Sequence, residues 1–599
     1  MKIKVAQYIA DFLVNHGVTH NFTVTGGGAM HLNDALGHKE GLKSIYNHHE
    51  QACAIAAEGY ARLTGRVASV CVTSGPGGTN AITGVLGGWQ DSIPMFIISG
   101  QVKRETTTWS TDIPLRQLGD QEYQIIDSVK YMTKYAVMIT SPEEIRYHLE
   151  KAWFLCNHGR KGPVWLDIPL DVQAAMVETD ELMGFNSREC SNEDPVYDEN
   201  DTIKIINRIK EAQRPVIFAG SGIRLGDAHR DFIDVIEKLN IPVVTAWNAH
   251  DNLWDEHPLF CGRPGTVGTR GGNFVVQNSD LLLVLGCRLN IRQISYNYKA
   301  FAPKAYKIVV DIDEAELNKP TVKVEMKIHA NVKDVLSSLN HFDEIKSCHT
   351  QKHEEWLKWA REINEKYPAT ITEYYEKSSP MNPYAFITEL SKDLKENEKI
   401  ICGNGSACVV TFQTINLKKG QRLFTNSGCA AMGYGFPAAI GCSVAEKEKR
   451  VICIDGDGSF MMNLQELQTV AYNNLNLKII ILNNNGYHSI RQTQTNLFKG
   501  EPLVGVCDGN GISFPNFEKI AYAFGIPYVK ADDIRTVHEA IGKMLATDGP
   551  VLLEAMIDET QNFAPKLSSK ALPDGRMVSP EIDDMFPFLD RAEYEANKL

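Results

Sequence analysis

The stretch from Val451 to Gly486 constrains this chain more than any other. The apolar run VICI, the turn Gly456-Asp457-Gly458-Ser459, the helical periodicity of Leu464–Asn474 and the run KIIIL at 478–482 make one strand–helix–strand unit. It closes on Asn483-Asn484-Asn485-Gly486. A crossover between parallel strands is right-handed and brings both strand ends to one edge of the sheet. Asp457 and Asn484 are therefore expected side by side, at the carboxyl ends where open α/β sheets bind ligands. The glycines let a phosphate approach the backbone closely. A carboxylate, an amide oxygen and a backbone carbonyl are hard donors suited to Mg2+ shared with phosphates.

Plainer readings of this stretch compete. A glycine turn after a strand is common. The run from Asp455 to Glu466 also imitates a calcium loop, with Asp455, Asp457, Ser459, Asn463 and Glu466 in ligand register. Phe460 stands where that loop needs its sharp-turn glycine, and a strand precedes where a helix should. No Gly-Lys-Ser/Thr follows, which excludes a Walker loop.

The rest of the chain repeats the alternation of short apolar strands with helical segments, the pattern of parallel α/β sheets. In the first block, helices are expected at 4–15 and His49–Thr64. Strands are expected at Asn21–Thr25, Leu42–Asn47, Ala68–Thr73, Met95–Ser99 and Pro163–Pro169. The second block has strands at Val216–Ala219, Pro242–Thr245, Leu281–Leu285 and Lys307–Asp311. The third has them at Lys399–Cys402, Arg450–Ile454, Lys478–Leu482 and Val551–Ala555. The fold class expected is α/β: three doubly wound parallel-sheet domains, at 1–170, 190–341 and 381–556, with a C-terminal extension at 557–599 that reads as loop. The acidic stretch 171–199 reads as linker, and 342–380 as exposed helix and linker.

Length agrees, since 599 residues exceed what one core can organise. With 61 Lys and Arg against 74 Asp and Glu, the net charge of −13 lacks the basic footprint of a nucleic-acid binder. The 13 cysteines are scattered and read as buried thiols rather than metal knuckles. The opening MKIKVAQYIADFLVNHG reads as a first helix, not a signal peptide, and no run is long enough to span a membrane. A cytoplasmic location is expected.

GDGSF followed by NN is the thiamine-diphosphate signature, and the wider resemblance is to the acetohydroxyacid (acetolactate) synthase-like family. It covers nearly the whole chain. His49-Glu50-Gln51 with AAEGYARLTG, VTSGPGGTNAITG and DSIPMFIISGQV resemble the family's first domain. HPLFCGRPGTVGTRG, NSDLLLVLGCR and VDIDEAEL resemble its middle domain, and SGCAAMGYGFPAAIG with GDGSFMMNLQELQTV its third. The resemblance implies that the first domain binds the pyrimidine half of thiamine diphosphate and the third its diphosphate half.

Residue by residue, it implies that Glu50 is the acid on the aminopyrimidine ring that activates the thiazolium carbon. Asp457, Asn484 and the Gly486 carbonyl would hold Mg2+. Gly456, Gly458 and Ser459 would cradle the diphosphate, with Asn404 and Gly405 in a second contacting loop and Tyr487 and His488 completing the cofactor-binding set. Met432 would hold the cofactor bent. Gly28 and Ala29 would lie over the pyrimidine, and Gln101 and Gln121 near the reacting centre. Glu50 can also be read as a helix N-terminal acid and Met432 as core. Sites would be shared between subunits of a homodimer or homotetramer. FAD is a further cofactor the resemblance allows, from Ala219-Gly220-Ser221-Gly222 after a strand and from Arg288 and Arg292; it would be structural.

The chain departs from the family in four places. Thr493 stands where biosynthetic members have a tryptophan and Asp120 where they have a phenylalanine. Thr269-Arg270 replaces a Met-His pair, and Thr25-Gly26-Gly27-Gly28 replaces Tyr-Pro-Gly-Gly. Together these predict a wider, more polar acceptor pocket. The function expected is decarboxylation of a 2-oxo acid, pyruvate first, with carboligation to a carbonyl acceptor such as a sugar derivative. The alternatives are a decarboxylase releasing an aldehyde and a non-catalytic cofactor-binding subunit. Residues 101–122 lack the histidine pair of simple decarboxylases, which disfavours aldehyde release.

Overall fold

The computed structural model describes residues 1–190, 195–498, 502–571, 574 and 576–599. Residues 191–194 of the expected linker and 572, 573 and 575 of the tail lie outside the described residues. The continuous apolar runs become central strands because a parallel sheet with helices on both faces buries every side chain of such a strand. Ala68–Val72 and Leu281–Leu285 are buried along their whole length.

Three parallel sheets result. The first is ordered Lys43–Tyr46, His20–Thr23, Ala68–Val72, Met95–Gln101, Val164–Pro169, Tyr135–Met138. The central one is ordered Val243–Thr245, Pro215–Ala219, Leu281–Leu285, Tyr306–Asp311, Met326–His329. The third is ordered Arg422–Phe424, Lys399–Cys402, Val451–Gly456, Leu477–Asn483, Val551–Met556, Tyr528–Ala531. In each, the chain starts inside the sheet, builds one strand outward and then crosses to the other side. The crevice at that reversal is where such sheets bind ligands.

Within the three parallel sheets, four strands were not expected from sequence: Tyr135–Met138, Met326–His329, Arg422–Phe424 and Tyr528–Ala531. All four are edges, short and partly exposed; three carry a charged residue, and Tyr135–Met138 is apolar but only four residues long. Nor were the small antiparallel pairs expected: Lys2–Lys4 with Met176–Glu178, in the expected linker, and Lys570–Ala571 with Met577–Val578. The helix expected over Leu464–Asn474 is divided. A 3-10 segment, Met461–Glu466, contains a non-helical Asn463 (φ −135°, ψ 29°), and the α-helix runs only from Leu467 to Tyr472.

Two further expectations are corrected. The helix Gln351–Lys366 is not simply exposed: it buries His353, Trp356, Ala360 and Ile363, and the Trp356 indole donates to the Pro215 carbonyl (3.0 Å). The tail is not loop alone. It carries a helix, Arg591–Ala596, and is pinned to the central domain, where the Asn273 amide donates to the Ile582 carbonyl (2.9 Å) and the Arg270 guanidinium to Pro587 (2.6 Å).

First and third domains meet along the helices Glu50–Thr64 and Gly435–Glu446. They approach so closely that a Cβ at Gly441 would lie 1.9 Å from the Ala56 carbonyl oxygen. The cysteines are free and mostly buried. Among the described residues no helix is long and apolar enough to cross a membrane.

Candidate active site

The reversal point of the third sheet gathers most of the predicted residues. Asn404 and Gly405 follow the strand Lys399–Cys402; Gly456 ends the neighbouring strand and Asp457 opens the short helix after it. Gly456 pairs in register with Leu482, so the turn lies beside the loop that carries Asn484 and Gly486. The buried Asp457 carboxylate accepts from the Gly458 N–H (2.7 Å) and the Gly486 N–H (2.9 Å). The Asn484 amide nitrogen donates to Ser406 (3.2 Å), and Arg491 fixes the Asn484 carbonyl (3.0 Å). Gly458 has no room for a side chain: a Cβ there would lie 2.2 Å from the ring of Tyr487.

The loop carrying Met432 closes over this turn. Ser459 accepts from the Gly433 N–H (2.9 Å), and the Asn404 amide donates to the Ala430 carbonyl (2.7 Å). Met432 is half-buried. His488, by contrast, faces the tail, its ring 5.2 Å from that of Phe563, and burial pushes it down to about 4.

Burial raises Asp457 to about 6, because the two N–H donors only partly replace water around a carboxylate. Asp455 behind it is also buried and pushed up to about 7. No group of three or more His, Cys, Asp or Glu side chains converges among the described residues. A cation here would rest on one carboxylate, an amide oxygen and a carbonyl, and would need a ligand's phosphate oxygens to complete its shell, as Mg2+ commonly does.

The first sheet supplies a second cluster at its own reversal. The Gly28 N–H donates to Thr73 (3.0 Å), and its carbonyl accepts from Gln173 (2.7 Å), which holds the Gly27–Ala29 turn over the strand ends. Glu50 opens the helix Glu50–Thr64, half-buried, and its carboxylate accepts from Asn80 (3.0 Å). Gln101 does not join this cluster. Its amide donates to the Tyr123 carbonyl (2.9 Å) and to Asp167 (3.0 Å), and its oxygen accepts from Val102 (3.0 Å), so its hydrogen bonds stay inside the domain.

Sequence reasoning missed what joins the clusters. Glu466 is fully buried, and its carboxylate accepts from the Asn47 amide (2.9 Å), the His48 N–H (2.9 Å) and Thr469 (2.6 Å). Asn463 donates to both Gln51 (3.2 Å) and the Gly433 carbonyl (2.8 Å). The kinked segment after the Asp457 turn therefore grips Glu50 on both sides. The acid that completed the calcium-loop imitation was the available signal.

Comparison with known proteins decides the family. Residues 3–128, 202–339 and 403–555 match, in order, the N-terminal TPP binding, central and C-terminal TPP binding domains of thiamine pyrophosphate enzymes. The chain is 30% identical over 563 residues to acetolactate synthase isozyme 1 large subunit of Escherichia coli (strain K12), covering 94% of this chain and 95% of that one. It is 32% identical to the probable acetolactate synthase large subunit of Methanococcus aeolicus (94% and 92% covered) and 30% to the acetolactate synthase large subunit of Lactococcus lactis (98% and 98%). The chain belongs to the thiamine pyrophosphate-dependent, acetolactate synthase-like family.

Within this acetolactate synthase-like enzyme the central domain carries a cleft at its own sheet reversal, lined by Ser221, Gly222, Trp247, Arg288 and the end of Tyr306–Asp311. Burial raises Asp311 to about 6. Arg292 stacks over Trp247 (5.1 Å). One of the four departures, the Thr269-Arg270 pair, takes structural roles. Thr269 caps the helix Arg270–Asn278 through its hydroxyl, and Arg270 is buried under the tail rather than open to a pocket. Asp120 and Thr493 are exposed, the Thr493 hydroxyl donating to the Ser489 carbonyl (2.8 Å).

Proposed function

We propose that this acetolactate synthase-like enzyme decarboxylates a 2-oxo acid, pyruvate first, and joins the acyl unit to a carbonyl acceptor bearing hydroxyls, such as a sugar derivative. The bond between carboxylate and carbonyl carbon breaks with loss of CO2; the acyl carbon bonds to the acceptor's carbonyl carbon, whose oxygen takes a proton. Thiamine diphosphate, when bound, supplies the carbon nucleophile that no side chain here can. The observation that carries the reading is the buried Asp457 carboxylate, accepting from the Gly458 and Gly486 N–H groups beside Asn484 at a sheet reversal.

In this reading Asp457, Asn484 and the Gly486 carbonyl hold Mg2+. Gly456, Gly458, Ser459, Asn404 and Gly405 receive the diphosphate, with Tyr487 beside them. Gly28, Ala29 and Met432 shape the space between the half-sites. Glu50 is the acid that holds and moves a proton on the aminopyrimidine. Glu466 and Asn463 are positioning residues, acting through the segment that carries Glu50. His488 and Gln101, bonded or packed elsewhere, support neighbouring structure.

The half-sites belong to a homodimer or homotetramer in which one subunit's Glu50 serves the partner's diphosphate loop. Apolar groups left uncovered on the chain support this: Met461 and Met462 beside the metal turn, and Trp109, Ile113 and Leu118 on the first domain. The central cleft would suit the adenosine half of FAD, and Asp311 and Arg288, which line it, would be among the residues that hold it. Exposed Thr493 and Asp120 support a roomy, polar acceptor side, and a site built to bond hydroxyls rejects an apolar analogue strongly. The experiment is a panel of carbonyl acceptors, including keto-sugars, offered with pyruvate and read by mass spectrometry. Fast acetolactate formation with no response to any polyhydroxy acceptor would contradict the acceptor assignment.

A further inference from the structure

A second cavity lies where all three domains meet, and no role in the reaction accounts for it. Its volume is about 620 Å3, in the range of small-molecule sites. The walls come from the end of the helix Glu50–Thr64, from the turn after Pro215–Ala219, from residues 248–252 and from the edge strand Arg422–Phe424.

Its charge is unbalanced. Arg62, Arg66, Lys161, Arg224 and Arg422 line it against only Asp227 and Asp251. Asp251 serves two guanidiniums, Arg422 at 2.5 Å and Arg224 at 3.3 Å, and Asp227 is paired with Lys333 (3.2 Å). Arg62 is held by Glu58 and by Asp91 (2.8 Å). His229 adds no charge, since burial and then Arg224 push it down to about 4. Lys161 and Arg66 remain: the structure shows neither an ion pair nor a side-chain hydrogen bond for either among the described residues; Lys161 is half-buried and attracted by Asp227 without touching it, and Arg66 is exposed at the rim. An ammonium drawn out of water without an acceptor is costly, and the cost is removed when an anion arrives. Ser221, Thr64 and Asn248 add hydroxyl and amide groups from three of these walls.

We propose that this seam cavity binds a phosphate-bearing small molecule, with Lys161 and Arg66 closing on the phosphate opposite the Arg224–Arg422 pair. Charge-assisted bonds from several walls suit a dianion better than a single carboxylate. A ligand there would bridge three domains and stabilise their arrangement by mass action. It is separate from the thiamine site, to which neither Lys161 nor Arg66 belongs. It shares Lys161, Ser221, Leu225 and Asn248 with the central cleft, so the test must tell the two apart.

The test is calorimetric titration of inorganic phosphate into the enzyme loaded with Mg2+ and thiamine diphosphate, at constant ionic strength against chloride. The expected result is saturable binding and a raised thermal midpoint. Lys161→Gln with Arg66→Gln should weaken binding at least tenfold and abolish the thermal rise; Arg66→Gln alone, which does not touch the central cleft, should weaken binding while CO2 release in phosphate-free buffer stays at wild-type level. Lys161→Arg should restore binding. Absence of saturable binding overturns the proposal, as does equal affinity in the double variant. Loss of binding on Arg288→Gln but not in the double variant would place the anion in the central cleft and overturn it equally.

Discussion

Replacing Glu466 tests how Glu50, the proposed activating acid, is held. Its carboxylate accepts three hydrogen bonds in a fully buried setting, two from Asn47 and His48 just before Glu50. In Glu466→Ala the Thr469 hydroxyl can turn to another acceptor, so the Asn47 and His48 donors set the cost. At about 1–3 kcal/mol per stranded donor the loss is about 2–6 kcal/mol, and water entering the vacated space takes it toward the lower half. Glu466→Gln keeps the volume but turns an NH2 group toward a donor, costing about 1–3 kcal/mol. A displacement of about 1 Å in a positioned group can cost about 100-fold in rate. We therefore expect CO2 release from pyruvate to fall about 10- to 100-fold in Glu466→Gln, with Mg2+-dependent cofactor binding, followed by near-ultraviolet circular dichroism, unchanged. Wild-type CO2 release in Glu466→Gln would refute the positioning argument. Loss of metal binding would instead make Glu466 a ligand and reopen the calcium-loop reading.

The remaining predictions concern other parts of the molecule. Glu50→Gln should lower CO2 release by about 100- to 10,000-fold, the range for a general acid–base group, while cofactor still binds; isotope exchange at the thiazolium carbon checks it. Asp457→Ala should abolish Mg2+-dependent cofactor binding, measured by the same dichroism titration. Asp251 is held down to about 2, burial being outweighed by Arg224 and Arg422. Its pairing therefore stabilises the folded state above the ordinary carboxylate range and is lost as pH falls from about 4 through 2, an effect of about 2 kcal/mol. The stability gap between wild type and Asp251→Asn should accordingly be widest near neutrality and narrow below pH 4 in urea titrations. Thr493→Trp should cut ligation to a large acceptor while sparing CO2 release, read from product ratios.

The juxtaposition of Asp457 with Asn484 and Gly486 was legible because its geometry is local. One strand–turn–helix–strand unit fixes Asp457 beside Gly486, and the right-handed crossover leaves no alternative. The central strands were legible for a related reason, since burial on both faces writes a continuous apolar run. Edge strands such as Arg422–Phe424 carry no such run and become strands only through their neighbours. Contacts remote in sequence were illegible as well. Nothing around Glu466 announces that Asn47 and His48 will donate to it, and nothing around Arg270 announces the tail carbonyls that occupy it. Gln101 shows the converse: a motif match names a residue's neighbourhood, and tertiary packing decides where its amide points.

The most direct measurement is a carbon balance on the purified enzyme, with Mg2+, thiamine diphosphate, pyruvate and a polyhydroxy carbonyl acceptor. One carbon–carbon bonded product is expected for each CO2 released, and no turnover when either Mg2+ or thiamine diphosphate is withheld. Free acetaldehyde in equal amount to CO2, with no ligated product from any acceptor, would contradict the proposed carboligation.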